Sequence, residues 1–317
     1  MKEYIVRRLL LMVPTIFGAV TLIFLLMNIL PGDIAMMILG EDTGQASPEQ
    51  VARIREQLGL NRPLYVQYFS WLWGIVRLDF GNSLWTGQPV FHEIWIRLPI
   101  TLTLISFSVL ISAALAVPVG ILAALRQDSW VDYGLRLFTI SGLSIPSFWL
   151  GMLVILFLLI VFSWFPPLTY AVIYKDPWTS LQQLFLPALV LGYRQAAVSA
   201  RMMRSSMLEV LKEDYVRTAR AKGLMERTVV YLHALKNASL PVITIFGVEM
   251  VILFSGAVII EKIFNVPGVG TLIVDAMGRR DIPLVQGVVL IIVGFVLIIN
   301  LIVDLIYSWL DPRIRYH

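Results

Sequence analysis

The chain has 317 residues, 58% of them hydrophobic and 15% charged, with a formal net charge of +4 and no cysteine. A mean hydropathy of +0.80 excludes an ordinary soluble domain, and the lack of cysteine excludes disulfides and thiolate metal sites. The small positive excess needs no nucleic-acid partner, because anionic inner-leaflet lipid and membrane topology account for it.

A bilayer core of about 30 Å takes roughly 20 apolar residues per helix. Six stretches meet that demand, 9–30, 99–125, 135–163, 184–203, 240–262 and 284–310, so the chain reads as an all-α polytopic membrane protein with six transmembrane helices forming one transmembrane domain over 1–317. The first span follows Lys2, Arg7 and Arg8; its apolar part is too long for a signal peptide and no small-residue cleavage site ends it, so it reads as a retained anchor. The segment 31–98 predicts a small helical cap on the outer surface. Within it Ser47-Pro48-Glu49-Gln50 has the capping-box pattern with proline at the first helical position, and Val51, Ile54 and Leu58 share one face. A second run, 64–76, carries Tyr65, Tyr68, Phe69, Trp71 and Trp73, the aromatic mix of a membrane–water interface.

Farther along, Pro146 between Ser144 and Ser147 predicts a kink in the third span, with the serines satisfying the freed backbone. Arg194 in the fourth span and Glu249 in the fifth are intramembrane charges, which line a path or pair with one another because an isolated charge is expensive there. Between those spans lies a polar island, 204–240. Leu208, Leu211, Tyr215 and Ala219 stand at helical spacing, and Glu213 precedes Arg217 by four residues on the wetter face. Gly223 falls where a helix wants a left-handed residue, and Val229, Leu232 and Leu235 resume the apolar stripe. The island therefore reads as two short amphipathic helices around a glycine elbow, a knob for a partner protein. In the last outer loop, Arg280 and Asp281 read either as an outer gate or partner contact, or as a loop-stabilising pair.

Charge orients these elements. Under the rule that basic residues stay inside, the inner segments hold Lys2, Arg7, Arg8, Arg126, Arg136, Arg201, Arg204, the island's cations, Arg313 and Arg315, against Lys175, Lys262, Arg279 and Arg280 in the short outer loops. Both termini and the island then face the cytoplasm.

Several chemistries lack their residues. No G-x-x-x-x-G-K-[S/T] loop cradles phosphates, so ATP hydrolysis belongs to another chain. The histidines, His92, His233 and His317, are scattered and form no H-E-x-x-H cluster, and no G-x-S-x-G elbow offers a nucleophile. Three classes stay open: the permease half of an ATP-driven importer, a secondary transporter and a membrane-embedded enzyme. A secondary transporter would show matching halves with broken helices, and an enzyme a reactive constellation; the sequence displays neither.

The run YVRTARAKG at 215–223, continuing through HALKNA at 233–238 to Leu240 and Pro241, resembles the cytoplasmic loop of ABC importer permeases of the dipeptide, oligopeptide and nickel branch. LGLNRP at 58–63, Gln67 and Tyr68, DFG at 79–81 and Ser83 resemble the outer segment of the B-type subunit. EKIF at 261–264, PGVG at 267–270, RDIP at 280–283, Gln286-Gly287 and the closing DPR at 311–313 extend the likeness over nearly the whole chain. Two positions depart from the pattern. Arg217, Thr218 and Ala219 stand where the general importer loop has Glu-Ala-Ala, and Ile34 replaces the second proline of Pro-Gly-Asp-Pro.

The resemblance implies a bacterial or archaeal plasma-membrane permease subunit that pairs with a homologous C-type permease, seats two ATP-binding subunits and takes substrate from an extracytoplasmic binding protein. Di- or oligopeptides are the implied cargo, nickel or a nickel chelate the alternative. No cofactor or metal belongs to this chain; ATP and magnesium belong to the partner subunits. It also implies that the elbow sits in a cleft of the ATPase, with Arg217, Arg220 and Lys222 as polar contacts and Leu211, Tyr215 and Ala219 packing around Gly223.

Overall fold

The computed structural model describes residues 2–29, 47–57, 59 and 61–310. The turn at 31–34, the start of the 31–98 segment, Leu58, Leu60 and the closing Asp311-Pro312-Arg313 lie outside the described residues, as do the side chains of Lys2, Arg7, Arg8 and Ile54. Among the described residues the regular structure is helical, apart from one isolated antiparallel bridge between Asn82 and Pro89.

Eleven helices carry the account: α1 (Lys2–Ile29), α2 (Pro48–Gln57), α3 (Leu64–Val76), α4 (Val90–Leu125), α5 (Trp130–Ser144), α6 (Ser147–Phe162), α7 (Pro177–Val210), α8 (Asp214–Ala221), α9 (Glu226–Ile263), α10 (Val269–Gly278) and α11 (Ile282–Leu310). By length and composition α4, α9 and α11 are each apolar enough to cross a membrane, and α5 with α6 adds a fourth span if the bent pair counts as one. Leu10–Leu26 of α1 is a shorter apolar helix. α7 has the length, 34 residues, but Arg194, Gln195 and Arg201 dilute its apolar character. In the three long spans only 28–39% of the apolar window is buried within the chain; the remaining apolar surface needs lipid or a protein neighbour. This is an all-α polytopic membrane protein.

Contacts divide the chain into two compact units, Met1–Leu98 with Gly268–Ile298, and Pro99–Pro267 with Ile299–His317. In the first, the Ser47 capping box forms as expected: the Ser47 hydroxyl accepts from Gln50 N at 3.3 Å, and the Gln50 amide oxygen accepts from Ser47 N at 3.1 Å. The aromatic run of α3 splits. Tyr68 and Trp71 pack on Phe24 of α1 at ring separations of 5.3 and 5.6 Å, with the Tyr68 hydroxyl 2.8 Å from that of Thr21. Tyr65, Phe69 and Trp73 stay exposed, as an interfacial anchor would.

The second unit is organised by a close crossing of α4 and α7. Ser108, Ala116 and Gly120 recur at helical spacing on α4, and Gly192, Ala196 and Ala200 on α7. A Cβ on Gly192 would stand 2.6 Å from the Ser108 carbonyl oxygen, and one on Gly120 would stand 2.5 Å from Met203 Cβ. Small residues thus bring two backbones within a distance that larger side chains forbid, the usual adhesive of helices in lipid.

The third span differs from its sequence reading. α5 and α6 meet at 105°, a break rather than a kink. Ile145 is extended (φ −91°, ψ 119°) because it precedes Pro146, which bars the helical region to its neighbour. Nor do Ser144 and Ser147 satisfy the freed backbone. The nearby hydroxyls of Ser141 and Tyr193 both donate instead to the Phe138 carbonyl, at 2.9 and 2.8 Å, within the body of α5.

Candidate functional site

The polar island begins where α7 ends. Leu211 is the C-cap of α7, residues 211–213 turn, and Glu213 is the extended N-cap of α8. This break resets the helical phase. Leu208 and Leu211 therefore belong to the preceding helix, and the inward face of α8 is Val216 and Ala219, which with Val229 form a small buried cluster against Val210 and Leu211. Tyr215, expected to pack, is exposed, and its hydroxyl accepts from Asn237 Nδ2 of α9 at 2.8 Å. Glu213 occupies the N-cap position without a side-chain cap bond, and Arg217, four residues ahead, reaches Asp214 at 3.3 Å instead.

Gly223 behaves as its position predicts. Its φ is +76°, and two bonds close the end of α8: Gly223 N donates to Arg220 O at 2.9 Å and Leu224 N to Ala219 O at 3.4 Å. This is the Schellman arrangement, which places a left-handed residue one position past the helix C-cap. Arg220 then reaches across the elbow to Glu226 through two parallel contacts, Nη2 to Oε1 at 2.7 Å and Nε to Oε2 at 3.1 Å. The guanidinium holds the Glu226 carboxyl below its ordinary value, and the carboxylate raises Arg220 in turn. Both groups are well exposed, so solvent screening keeps the pair to under about 1 kcal/mol. Lys222 is exposed and has no partner among the described residues.

Beyond the elbow the second amphipathic helix is not a separate short element. It is the first part of α9 and runs unbroken into the fifth span, with a π-helical turn at Val229–Ala234. The elbow is thereby built directly onto a membrane helix. Val230, Ala234, Ala238 and Val242 of that helix pack on Ile121 and Ala124 of α4 and on Met203 and Met207 of α7.

A second feature was missed entirely by sequence. Asp132, fully buried in the first turn of α5 ahead of the apolar run at 135–163, accepts two bonds from Arg204 of α7, Nε to Oδ1 and Nη2 to Oδ2, both at 2.8 Å. Arg136 supplies two more at 3.2 and 2.7 Å, and Asp128 N a fifth at 3.0 Å. Arg204's hydrogen bonds, and after them Arg136's, hold the carboxyl far below the carboxylate range against the opposing effect of burial. One carboxylate thus ties the start of the third span to α7 six residues before that helix gives way to the elbow. The legible local signals were Ser129 three residues before Asp132, a capping pair, and Arg136 four residues after; Arg204 lies 72 positions away.

The remaining candidates separate. Glu249 is buried and Arg194 exposed; Arg194 acts on it electrostatically, without a hydrogen bond or ion pair between them among the described residues. Asp281 is buried, but not against Arg280. Its oxygens accept from the Ser83 hydroxyl and from the backbone of Leu84 (3.2 Å), Trp85 (3.4 Å) and Leu284 (3.3 Å), so it caps α11 and fixes the loop at 83–85. Arg280 adopts φ +53°. Among the described residues no group of three or more His, Asp or Glu side chains is gathered in a way that holds a metal ion.

Residues 116–316 match the family model described as the binding-protein-dependent transport system inner membrane component, and residues 1–105 match the companion N-terminal model of such membrane components. The chain belongs to this permease family. A protein of Brucella abortus (strain 2308), provisionally named a peptide transport system permease, is 42% identical over the full length of both chains. The dipeptide transport system permease DppB of Escherichia coli (strain K12) is 39% identical, covering 100% of this chain and 99% of that one. The DppB protein of Alkalihalophilus pseudofirmus is 38% identical over all of both. Against this family background the island, its glycine elbow and the Asp132 anchor are parts of a transport permease.

Proposed function

We propose that this chain is the transmembrane permease subunit of an ATP-driven, binding-protein-dependent importer of di- or oligopeptides. Residues 1–317 form its permease domain, with 31–98 on the outer face, 204–240 as the coupling loop and both termini in the cytoplasm of a bacterial or archaeal cell. A homologous C-type permease completes the path, two ATPase subunits dock on the cytoplasmic side, and an extracytoplasmic binding protein delivers the peptide. ATP and magnesium act on the ATPases.

The observation that carries this reading is the elbow. α8 and its C-cap present Arg217, Arg220 and Lys222 outward while Val216 and Ala219 fasten the other face of α8 to the chain. A rigid amphipathic knob joined without a break to a membrane helix can convert a partner's movement into movement of that helix. The Asp132–Arg204 anchor supports the same role, since it couples a second span to the helix entering the elbow. Leu211 and Ala219 hold the knob in shape, while Tyr215 and the cations meet the ATPase. The relatives' names favour peptide cargo, and Arg194 with Glu249 is the candidate polar pair along the path.

Single cysteines at Arg217 and Lys222 test the docking. In membranes containing the assembled transporter, each should cross-link to an ATPase subunit in a yield that changes with bound nucleotide, whereas a cysteine at Ser47 should not. Cross-linking from Ser47 alone would reject the coupling loop.

A further inference from the structure

The coupling elbow leaves unexplained the motifs clustered in the first compact unit. LGLNRP at 58–63, Gln67 and DFG at 79–81 lie close in sequence and the Pro283 to Gln286 stretch far from them, yet residues of all four line one cavity of about 680 Å³. That volume lies within the roughly 300–1,000 Å³ of small-molecule sites.

The lining is mixed in a particular way. Gln286, in the first turn of α11, is only 7% exposed, lines the cavity, and has no hydrogen-bond partner among the described residues. At the cavity wall, with no described protein group engaging it, the Gln286 amide is available to a ligand. Its carbonyl and two N–H groups match the donor and acceptor of a peptide bond. Arg62 brings a guanidinium that also lacks a partner among the described residues, a fork suited to a carboxylate. Asp79 brings the opposite charge; one of its oxygens accepts from Gly81 N at 3.0 Å, leaving the other for an ammonium. Phe24 and Trp71 add apolar wall.

We propose that this cavity binds a short peptide through its free carboxylate terminus, with Arg62 as the anion anchor, Gln286 reading the amide and Asp79 favouring the amino end. The opposed charges fit a zwitterion. An anionic lipid headgroup would gain Arg62 and be repelled by Asp79. Its place on the outer side, as a station for peptide before translocation, rests on the importer reading above.

The test is equilibrium binding of labelled trialanine to the full-length chain in lipid nanodiscs, without ATPases or binding protein. Saturable one-to-one binding is expected, weakened about ten- to a hundredfold by Arg62→Gln and by Gln286→Leu. Trialanine amide should bind the unaltered chain as poorly as trialanine binds Arg62→Gln, and that variant should no longer distinguish the two peptides. The amide comparison needs no mutation, so a misfolded variant does not compromise it. Absence of saturable binding, equal binding of acid and amide, or unchanged affinity in both variants would overturn the site. ATP-driven uptake by the assembled transporter is measured alongside: uptake without binding to the chain rejects this site and leaves the importer reading intact, whereas binding without uptake does the reverse.

Discussion

Replacing Gly223 by valine tests the elbow through backbone conformation alone. A Cβ at this position meets nothing within 4 Å, so no clash contributes. The cost is that of holding a β-branched residue at φ +76°, on the order of 1–3 kcal/mol. If the chain instead abandons the conformation, it gives up the two Schellman bonds, each about 0.5–1.5 kcal/mol, and the exposed Arg220–Glu226 pair. Either route reduces the formed elbow by roughly 5- to 150-fold relative to its alternatives. Asparagine tolerates left-handed geometry and alanine does so less well, which predicts the order Gly, Asn, Ala, Val in retained function. The assay is peptide uptake and peptide-stimulated ATPase activity in proteoliposomes containing the full transporter, with membrane insertion as control. Both activities should fall together along that order. Full coupling in Gly223→Val, or a more severe defect in Gly223→Asn than in Gly223→Val, would refute the reasoning.

Three further outcomes follow from the packing. Asp132→Asn should lower the thermal stability of the detergent-solubilised chain by about 2–4 kcal/mol, because Arg204 and Arg136 lose a buried counter-charge. Since the folded carboxyl titrates below its ordinary 3.8, its contribution is complete above that value and lost as pH falls toward the folded one; the wild-type advantage over Asp132→Asn should be constant at about pH 6–8 and shrink below about pH 4. Gly192→Leu should wedge α4 from α7 at the Ser108 carbonyl and cost at least about 1–3 kcal/mol, visible as a lowered unfolding midpoint; an unchanged midpoint would deny the close crossing. Cysteines introduced at the exposed Ser47 and Ser205 should react with an impermeant reagent from opposite sides of the membrane, and same-side labelling would contradict the topology.

What the sequence made legible was mostly local. The Ser47 capping box and the left-handed Gly223 each depend on a few neighbouring residues whose conformational preferences agree, and both form as read. The phase of the island was misread because helical periodicity was carried across residues 211–213, where the chain turns and restarts; Val216, not Tyr215, then faces inward. Pro146 announced a disturbance, but its size depends on where α6 finds packing: Gly151 of that helix lies against Phe264, a contact with no local signature. Asp132 with Arg204, and Asp281 with the loop at 83–85, are long-range pairings of a buried carboxylate. Sequence shows the charge and not its distant partner.

Concentrative uptake in vesicles of defined composition tests the central claim most directly. Vesicles carrying this chain, its partner permease, the binding protein and peptide, but no ATPase subunits, should accumulate nothing, with or without a proton or sodium gradient. Adding the ATPases with ATP and magnesium should produce uptake. Gradient-driven accumulation in the ATPase-free vesicles would contradict the importer account and establish a secondary transporter in its place.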